Sequence, residues 1–281
     1  MNTVIRYISM ILALVMAFCG IGKCEIGDKV PAEDVKRIMS FNVRYNGWDR
    51  GKIVPQLIAD YYPDSVGVQE CEALWYYQLK AFLPQYGIVG VGRLTGTRGG
   101  ISGEMSAILY RKDKCKVVDS DTFWLSETPD KISKGWDAQK NRICTWAILE
   151  DKETGERYAH LNAHLDHQGE NARKNGLALV LEKAKSFDMP VVITGDFNFG
   201  KGTECYGDFA EAGFFDAQDK AVDTMYGKTY HGYNGGEEGN PIDFIMVNDE
   251  VEDVKTYKII RDKAGEQYIS DHYPIYSDMT F

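Results

Sequence analysis

The chain contains no run of roughly 20 apolar residues, the length a helix needs to cross a bilayer, and a membrane-spanning helix is therefore excluded. Basic residues are in the minority. The 32 Lys and Arg stand against 42 Asp and Glu, a formal charge of -10, the reverse of the footprint that holds nucleic acid by charge alone. Proline is scarce, with 8 residues against 28 Gly, and no internal repeat, low-complexity tract or linker interrupts the chain, which excludes fibrous and disordered classes. The six cysteines include no CxxC pair and no histidine at zinc-finger spacing, so a structural zinc site is not expected. No G-x-S-x-G elbow appears, which removes the usual serine nucleophile.

What is present begins with Arg6 and the apolar run Tyr7 to Ile21, followed by Lys23 and Cys24. A positive end ahead of a short apolar stretch and small residues is a secretory signal pattern. Cleavage is expected between residues 19 and 24, giving an exported protein; Phe18 and Lys23 are poor residues ahead of a lipidated cysteine, so a lipid anchor is disfavoured. Loss of residues 1–24 takes away two bases and no acid, leaving a charge of -12. Of the cysteines, Cys71, Cys115, Cys144 and Cys205 remain, expected as buried thiols with one bridge left open.

Beyond a polar leader at 25–34, β-type runs alternate with helical patterns, which predicts one α/β domain over 35–281. Strands are predicted at 35–43, 65–69, 86–92, 106–111, 115–123, 142–150, 157–163, 191–194, 242–247, 254–260 and 275–279, and helices at 53–61, 72–82, 172–187 and 203–212. Early strands connect through helices and later ones through hairpins, so the sheets should be mixed.

Polar residues cluster where these runs end: Asn42, Glu70, His164, Asp166, Asp196, Asn198, and the pair Asp271-His272 ahead of the last strand. Singly, each has an ordinary explanation, Asn42 as a turn amide or Glu70 as the solvated start of a helix. Asp243 resists such an explanation, because a carboxylate within Ile242-Asp243-Phe244-Ile245 is costly to bury without a partner. His272 is the obvious one, and an imidazole oriented by a buried acid is a general base for water. Asn42, Glu70 and Asp271 offer oxygen ligands, which suit Mg²⁺ or Mn²⁺ rather than zinc. Such an ion, His272 as base, Asp196 aligning water, and Asn198 and His164 as hydrogen-bond donors make up in-line hydrolysis at phosphorus.

The ordered set Ser40-Phe41-Asn42, Gln69-Glu70, Asn162-Ala163-His164-Leu165, Gly195-Asp196-Phe197-Asn198, Ile242-Asp243-Phe244-Ile245 and Ser270-Asp271-His272 resembles the endonuclease/exonuclease/phosphatase superfamily over residues 37–281. The resemblance implies a four-layer α/β/β/α sandwich of the deoxyribonuclease I type, with two packed mixed sheets and a site at one edge. It also implies a metal at Asn42, Glu70 and Asp271 and a dyad of Asp243 with His272. At the position of His164 the abasic-site endonucleases carry Tyr, so the chain looks unlike that branch. The stretch from Trp124 to Pro129, with Lys134, Trp136 and Arg142, looks like a secreted bacterial subgroup.

Loops around the metal should set selectivity, with Arg44, Tyr45, Trp48, Trp124, Lys134, Trp136, Arg142, Arg173 and His231 as candidates to grip a phosphate or stack on a ring. A compact phosphoester, on a sugar, inositol or lipid head group, is slightly preferred. A secreted nuclease is the alternative, and no stable nucleic-acid complex is expected of a monomer this acidic. Two other classes remain: a glycosidase, which would not need the His272, Asn42 and Asn198 set, and a non-catalytic binding domain on the same fold.

Overall fold

The structure is a computed structural model and describes positions 8, 11 and 15 and residues 22–47, 51–99 and 103–281. Trp48 and most of the N-terminal apolar run lie outside the described residues. In chain order the elements are β1 (Lys36–Asn42), α1 (Ile53–Tyr61), β2 (Ser65–Cys71), α2 (Ala73–Phe82), β3 (Tyr86–Val89), β4 (Met105–Arg111), β5 (Cys115–Trp124), β6 (Ile143–Asp151), β7 (Arg157–His164) and α3 (Glu170–Lys185). There follow β8 (Val191–Asp196), α4 (Glu204–Glu211), β9 (Phe215–Asp216), α5 (Ala217–Lys220), β10 (Asp223–Thr224), β11 (Asp243–Val247), β12 (Asp253–Ile259), β13 (Lys263–Ala264), β14 (Gln267–Tyr268) and β15 (Ile275–Thr280).

Two mixed sheets result, one of seven strands in the order β10-β12-β15-β1-β2-β4-β3 and one of six in the order β5-β6-β7-β8-β11-β9. Strand alternation sorts apolar side chains to opposite faces. In β1, Ile38 points between the sheets while Met39 and Phe41 pack under α1 and α2 beside Leu57, Ile58 and Trp75. On the far side, Leu161 of β7 and Ile193 of β8 pack against Leu177, Val180 and Leu181 of α3. A third core, with Tyr158, Val192, Ile245 and Ile275, lies between the sheets. Three cores separate four layers, which is the α/β/β/α sandwich expected.

The inter-sheet layer turns polar toward one end. Gln69 Nε2 donates to Asn162 Oδ1 at 2.7 Å, and Asn162 Nδ2 donates to the carbonyls of Val68 and Ala107 at 3.1 and 2.8 Å. These bonds cross from one sheet to the other, where a buried amide left unpaired would cost about 1–3 kcal/mol. Gly67 lets the sheets close here, since a Cβ on it would collide with the Thr194 hydroxyl.

Element boundaries follow the sequence closely, with informative exceptions. Glu70, expected beyond its strand, lies within β2, where pairing with β4 slips between Val68 and Cys71. Short β9, β10, β13, β14 and α5 had no periodic signal, being too brief to repeat a pattern. Cys24 is fully buried and its N–H donates to the Phe82 carbonyl at 2.9 Å; Gly27 N–H donates to Ala59 O at 3.2 Å, so part of the predicted leader lies along α1. Cys24, Cys71, Cys115, Cys144 and Cys205 are all free thiols. No helix among the described residues is long and apolar enough to cross a membrane.

His160 reports on the polar seam. It is fully buried, with Nδ1 2.9 Å from Ser65 Oγ and Nε2 2.8 Å from Thr194 Oγ1, and burial pushes its pKa down to about 3. Above the ordinary value of about 6.5 both folded and unfolded chains carry it neutral; below that, the unfolded chain takes the proton first, so stability falls by up to about 1.4 kcal/mol per pH unit until about 3. Thermal melts of wild type and His160→Gln should therefore diverge, the wild type losing more midpoint between pH 6.5 and 4. Equal losses would show that His160 does not carry this linkage.

Candidate active site

Register brings the polar residues to one edge. In parallel pairing of β7 with β8, His164 lies opposite Asp196, and in antiparallel pairing of β8 with β11, Asp196 lies opposite Asp243. The other sheet ends β1 at Asn42, paired beside Gln69 of β2. Asn42 spans the gap between sheets: its Nδ2 donates to Asp196 Oδ2 at 2.9 Å and to Glu70 Oε1 at 3.1 Å. Three non-glycine residues at this edge hold left-handed backbone, Arg44 at φ 64°, Glu70 at 58° and Asn198 at 55°. Such conformations are disfavoured and persist where surrounding structure imposes them, commonly at functional sites.

The dyad forms as expected. His272 Nδ1 donates to Asp243 Oδ2 at 2.8 Å, which leaves Nε2 directed 3.7 Å from Asp196 Oδ2. Burial alone would lower the His272 pKa; attraction to Asp243 and then Asp196 holds it up to about 10. The neutral imidazole expected from sequence is thus a charged one while the surrounding acids are uncompensated. Burial and repulsion from Asp243 push Asp196 up to about 7. His164 is kept neutral by burial and by the nearby charges of Arg142 and Arg93, and its Nε2 lies 3.5 Å from Asp196 Oδ2. Glu70, His164 and Asp196 each offer a ligand atom within 4.8 Å of the others, an arrangement that could hold a metal ion.

The remaining predicted residues separate into two groups. Asn198 lines the cavity, its N–H on Asp196 Oδ1 at 3.1 Å and its Nδ2 on the Leu165 carbonyl at 3.0 Å. Asp271 is buried and held by Arg44 Nη1 at 2.8 Å. A cavity of about 670 Å³ opens over the centre, and Arg44, Tyr45 and Arg142 line it. Trp124, Trp136 and Arg173, expected to grip substrate, do not. Trp124 is buried, donating its indole N–H to the Arg93 carbonyl at 2.8 Å, because its place at the end of β5 turns the ring into the loop behind the wall. Trp136 sits outside the cavity with its N–H on Glu127, and Arg173 on α3 donates to the Asp166 carbonyl at 3.0 Å. His231 is buried and stacked on Tyr273 at 4.0 Å, again away from the cavity.

Several contributors were not visible in the sequence. Arg93, Glu104, Lys140 and His167 come from loops whose only signal is charge, and all line the cavity. Thr229 is fully buried and accepts the backbone N–H of Ile242 and Asp243 at 3.0 and 3.1 Å, while its carbonyl accepts from Tyr273 N–H at 2.8 Å. It thereby ties the two segments that carry the dyad.

A two-sheet sandwich with an acid and imidazole cleft at its strand ends defines the deoxyribonuclease I-like class of phosphoester hydrolases. The chain belongs to the Endonuclease/Exonuclease/phosphatase family, whose profile it matches over residues 39–272. It is 33% identical to the mannosyl-6-phosphatase of Bacteroides thetaiotaomicron VPI-5482, over 88% of this chain and 100% of that one, with a TM-score of 0.81. An endonuclease/exonuclease/phosphatase from Bacteroides vulgatus is 37% identical over 88% and 99% of the two chains, TM-score 0.81. The human Nocturnin catalytic domain with bound sulfate is similar in fold, at 18% identity and TM-score 0.69 over 88% and 94%. No curated protein sequence matches the chain.

Thr229→Val should strand the two N–H groups at a cost of about 1–3 kcal/mol each and lower turnover by up to about 10²-fold through misplacement of the dyad. Thr229→Ser should restore both. Turnover and thermal midpoint measured together check this; a Val variant as active as the Ser variant would remove the positioning role.

Proposed function

We propose that the protein hydrolyses a phosphate ester of a compact sugar, inositol or lipid head group, using a divalent cation, Mg²⁺ or Mn²⁺. The observation that carries this reading is the 2.8 Å His272–Asp243 pair set beside the Glu70, His164 and Asp196 cluster on one cavity. The donor set fits a hard cation. Carboxylates converge there, Asp196 is pushed up to about 7 by burial and by Asp243, and Asp243 Oδ1 is buried with no hydrogen-bond partner among the described residues. Glu70 and the adjacent Asn42 amide would hold the ion, with Asp271, here paired with Arg44, as the third ligand. When bound, the ion supplies Lewis-acid stabilisation of charge on the phosphoryl oxygens.

The chain's own groups divide the remaining work. Asp243 fixes the His272 tautomer so that Nε2 faces the water to be activated. His272 releases its proton more readily once the neighbouring acids are neutralised, because their charge is what raises its pKa. Asp196 accepts from that water and aligns it. The neutral His164 and the Asn198 amide donate to phosphoryl oxygens, groups held in place before substrate arrives. The 33% identity to a mannosyl-6-phosphatase and the net charge of -10 favour a compact ester over nucleic acid. The N-terminal apolar run behind Arg6 supports an exported location for this activity.

Chelation should abolish turnover of a generic phosphoester, and His272→Ala should lower it by about 10²–10⁴-fold. The acid limb of the pH profile should move to lower pH as Mg²⁺ is raised, since cation and proton compete for the same negative field. Chelator-resistant activity, or near-normal turnover in His272→Ala, would contradict the proposal.

A further inference from the structure

On the His164 side, the cavity has a second wall built by loops. Arg93 and Glu104 come from the β3–β4 connection, Gln139, Lys140 and Arg142 from the β5–β6 connection, and His167 from the segment before α3. Its guanidinium groups are already paired at their forked ends, and Arg93 Nε is buried without a hydrogen-bond partner among the described residues. Arg93 Nη1 and Nη2 donate to the two Glu104 oxygens at 2.8 and 2.7 Å. Arg142 Nε lies 3.4 Å from Asp166 Oδ2, and its Nη2 donates to His167 Nδ1 at 3.1 Å. Asp166 is fixed in turn by the N–H groups of Lys140, Gln168 and Gly169 at 3.1, 3.0 and 2.9 Å. Lys140 is exposed at the rim, where water and salt screen it.

Three kinds of group are commonly attached to a scissile phosphate, and each requires a different wall. A further phosphate requires positive charge not already spent on a carboxylate. A nucleobase requires an aromatic face. A polyhydroxylated group requires donors and acceptors side by side, because every hydroxyl both gives and takes a hydrogen bond. Among the described residues, the tyrosine rings lining the cavity are Tyr45 and Tyr230; the first lies against the Arg44 guanidinium at 5.2 Å and the second against His272 at 5.0 Å. A buried Arg–Glu pair adds little stability over well-packed apolar side chains. At a cavity wall, however, it presents fixed donors beside fixed acceptors with almost no net charge.

We propose that Arg93, Glu104 and Arg142 form a subsite for the neighbouring hydroxyls of a neutral sugar or polyol whose phosphate occupies the catalytic centre. This rests on the phosphoesterase reading and assigns the recognition to residues outside the catalytic set. The full-length protein with Mg²⁺ should be assayed on a hexose 6-phosphate, a nucleoside 5′-monophosphate, and p-nitrophenyl phosphate with its bis ester. In Glu104→Gln the ratio of kcat/KM for the hexose phosphate to that for the p-nitrophenyl ester should fall tenfold or more, carried mainly by KM. Should that variant fail to fold, the unmodified protein still decides: the free hexose should compete against p-nitrophenyl phosphate, and a nucleoside should not. An unmoved ratio in a folded variant, a preference for the nucleotide, or competition by the nucleoside and not the hexose would overturn the subsite. Loss of turnover on every ester in the wild type would instead overturn the phosphoesterase reading itself.

Discussion

The constraint on which this structure turns is the crowding of acids where the two sheets end. Asp196 and Asp243 face one another across β8 and β11, with Glu70 brought in from the opposite sheet by the Asn42 amide. Buried carboxylates at this separation repel, and a fold tolerates them only with positive charge or hydrogen bonds close by. His272 supplies part of that charge, and the Arg44 guanidinium satisfies Asp271. The same crowding that weakens the site as structure gives it chemistry, because it raises the proton affinity of an imidazole and leaves oxygen donors aimed at one space.

The polar inter-sheet seam makes that crowding a rigid feature. Ser65–His160 and Asn162–Ala107 hydrogen bonds cross between the sheets, and buried Thr194 braces His160 and Asn162 within their own sheet. The strand ends are therefore fixed relative to each other, and the residues they carry need little reorganisation to act. The loops above differ in kind. Arg93, Glu104 and Arg142 are held by ion pairs and backbone bonds rather than by the inter-sheet seam.

Much of this was legible because strands and catalytic groups obey short-range rules. Period-two alternation located β1, short apolar runs located β7 and β8, and a polar residue closing each run marked Asn42, His164 and Asp196. Asp243 was conspicuous as an acid in an apolar strand. What escaped depends on three-dimensional pairing. Nothing in the sequence around Thr229 indicates that its hydroxyl accepts two backbone N–H groups. Trp124 reads as a cleft residue from its Lys, Gly and Asp neighbours, yet its position at a strand end turns it inward. The matching of Arg93 with Glu104, eleven positions apart across a loop, has no periodic signature.

The central claim is that a divalent ion belongs among Glu70, Asn42 and Asp271. Crystals grown with Mn²⁺ and measured at a wavelength where manganese scatters anomalously test it directly. The account predicts an anomalous peak in contact with the Glu70 carboxylate and its loss in Glu70→Gln; a peak only elsewhere, or none at saturating Mn²⁺, would contradict it.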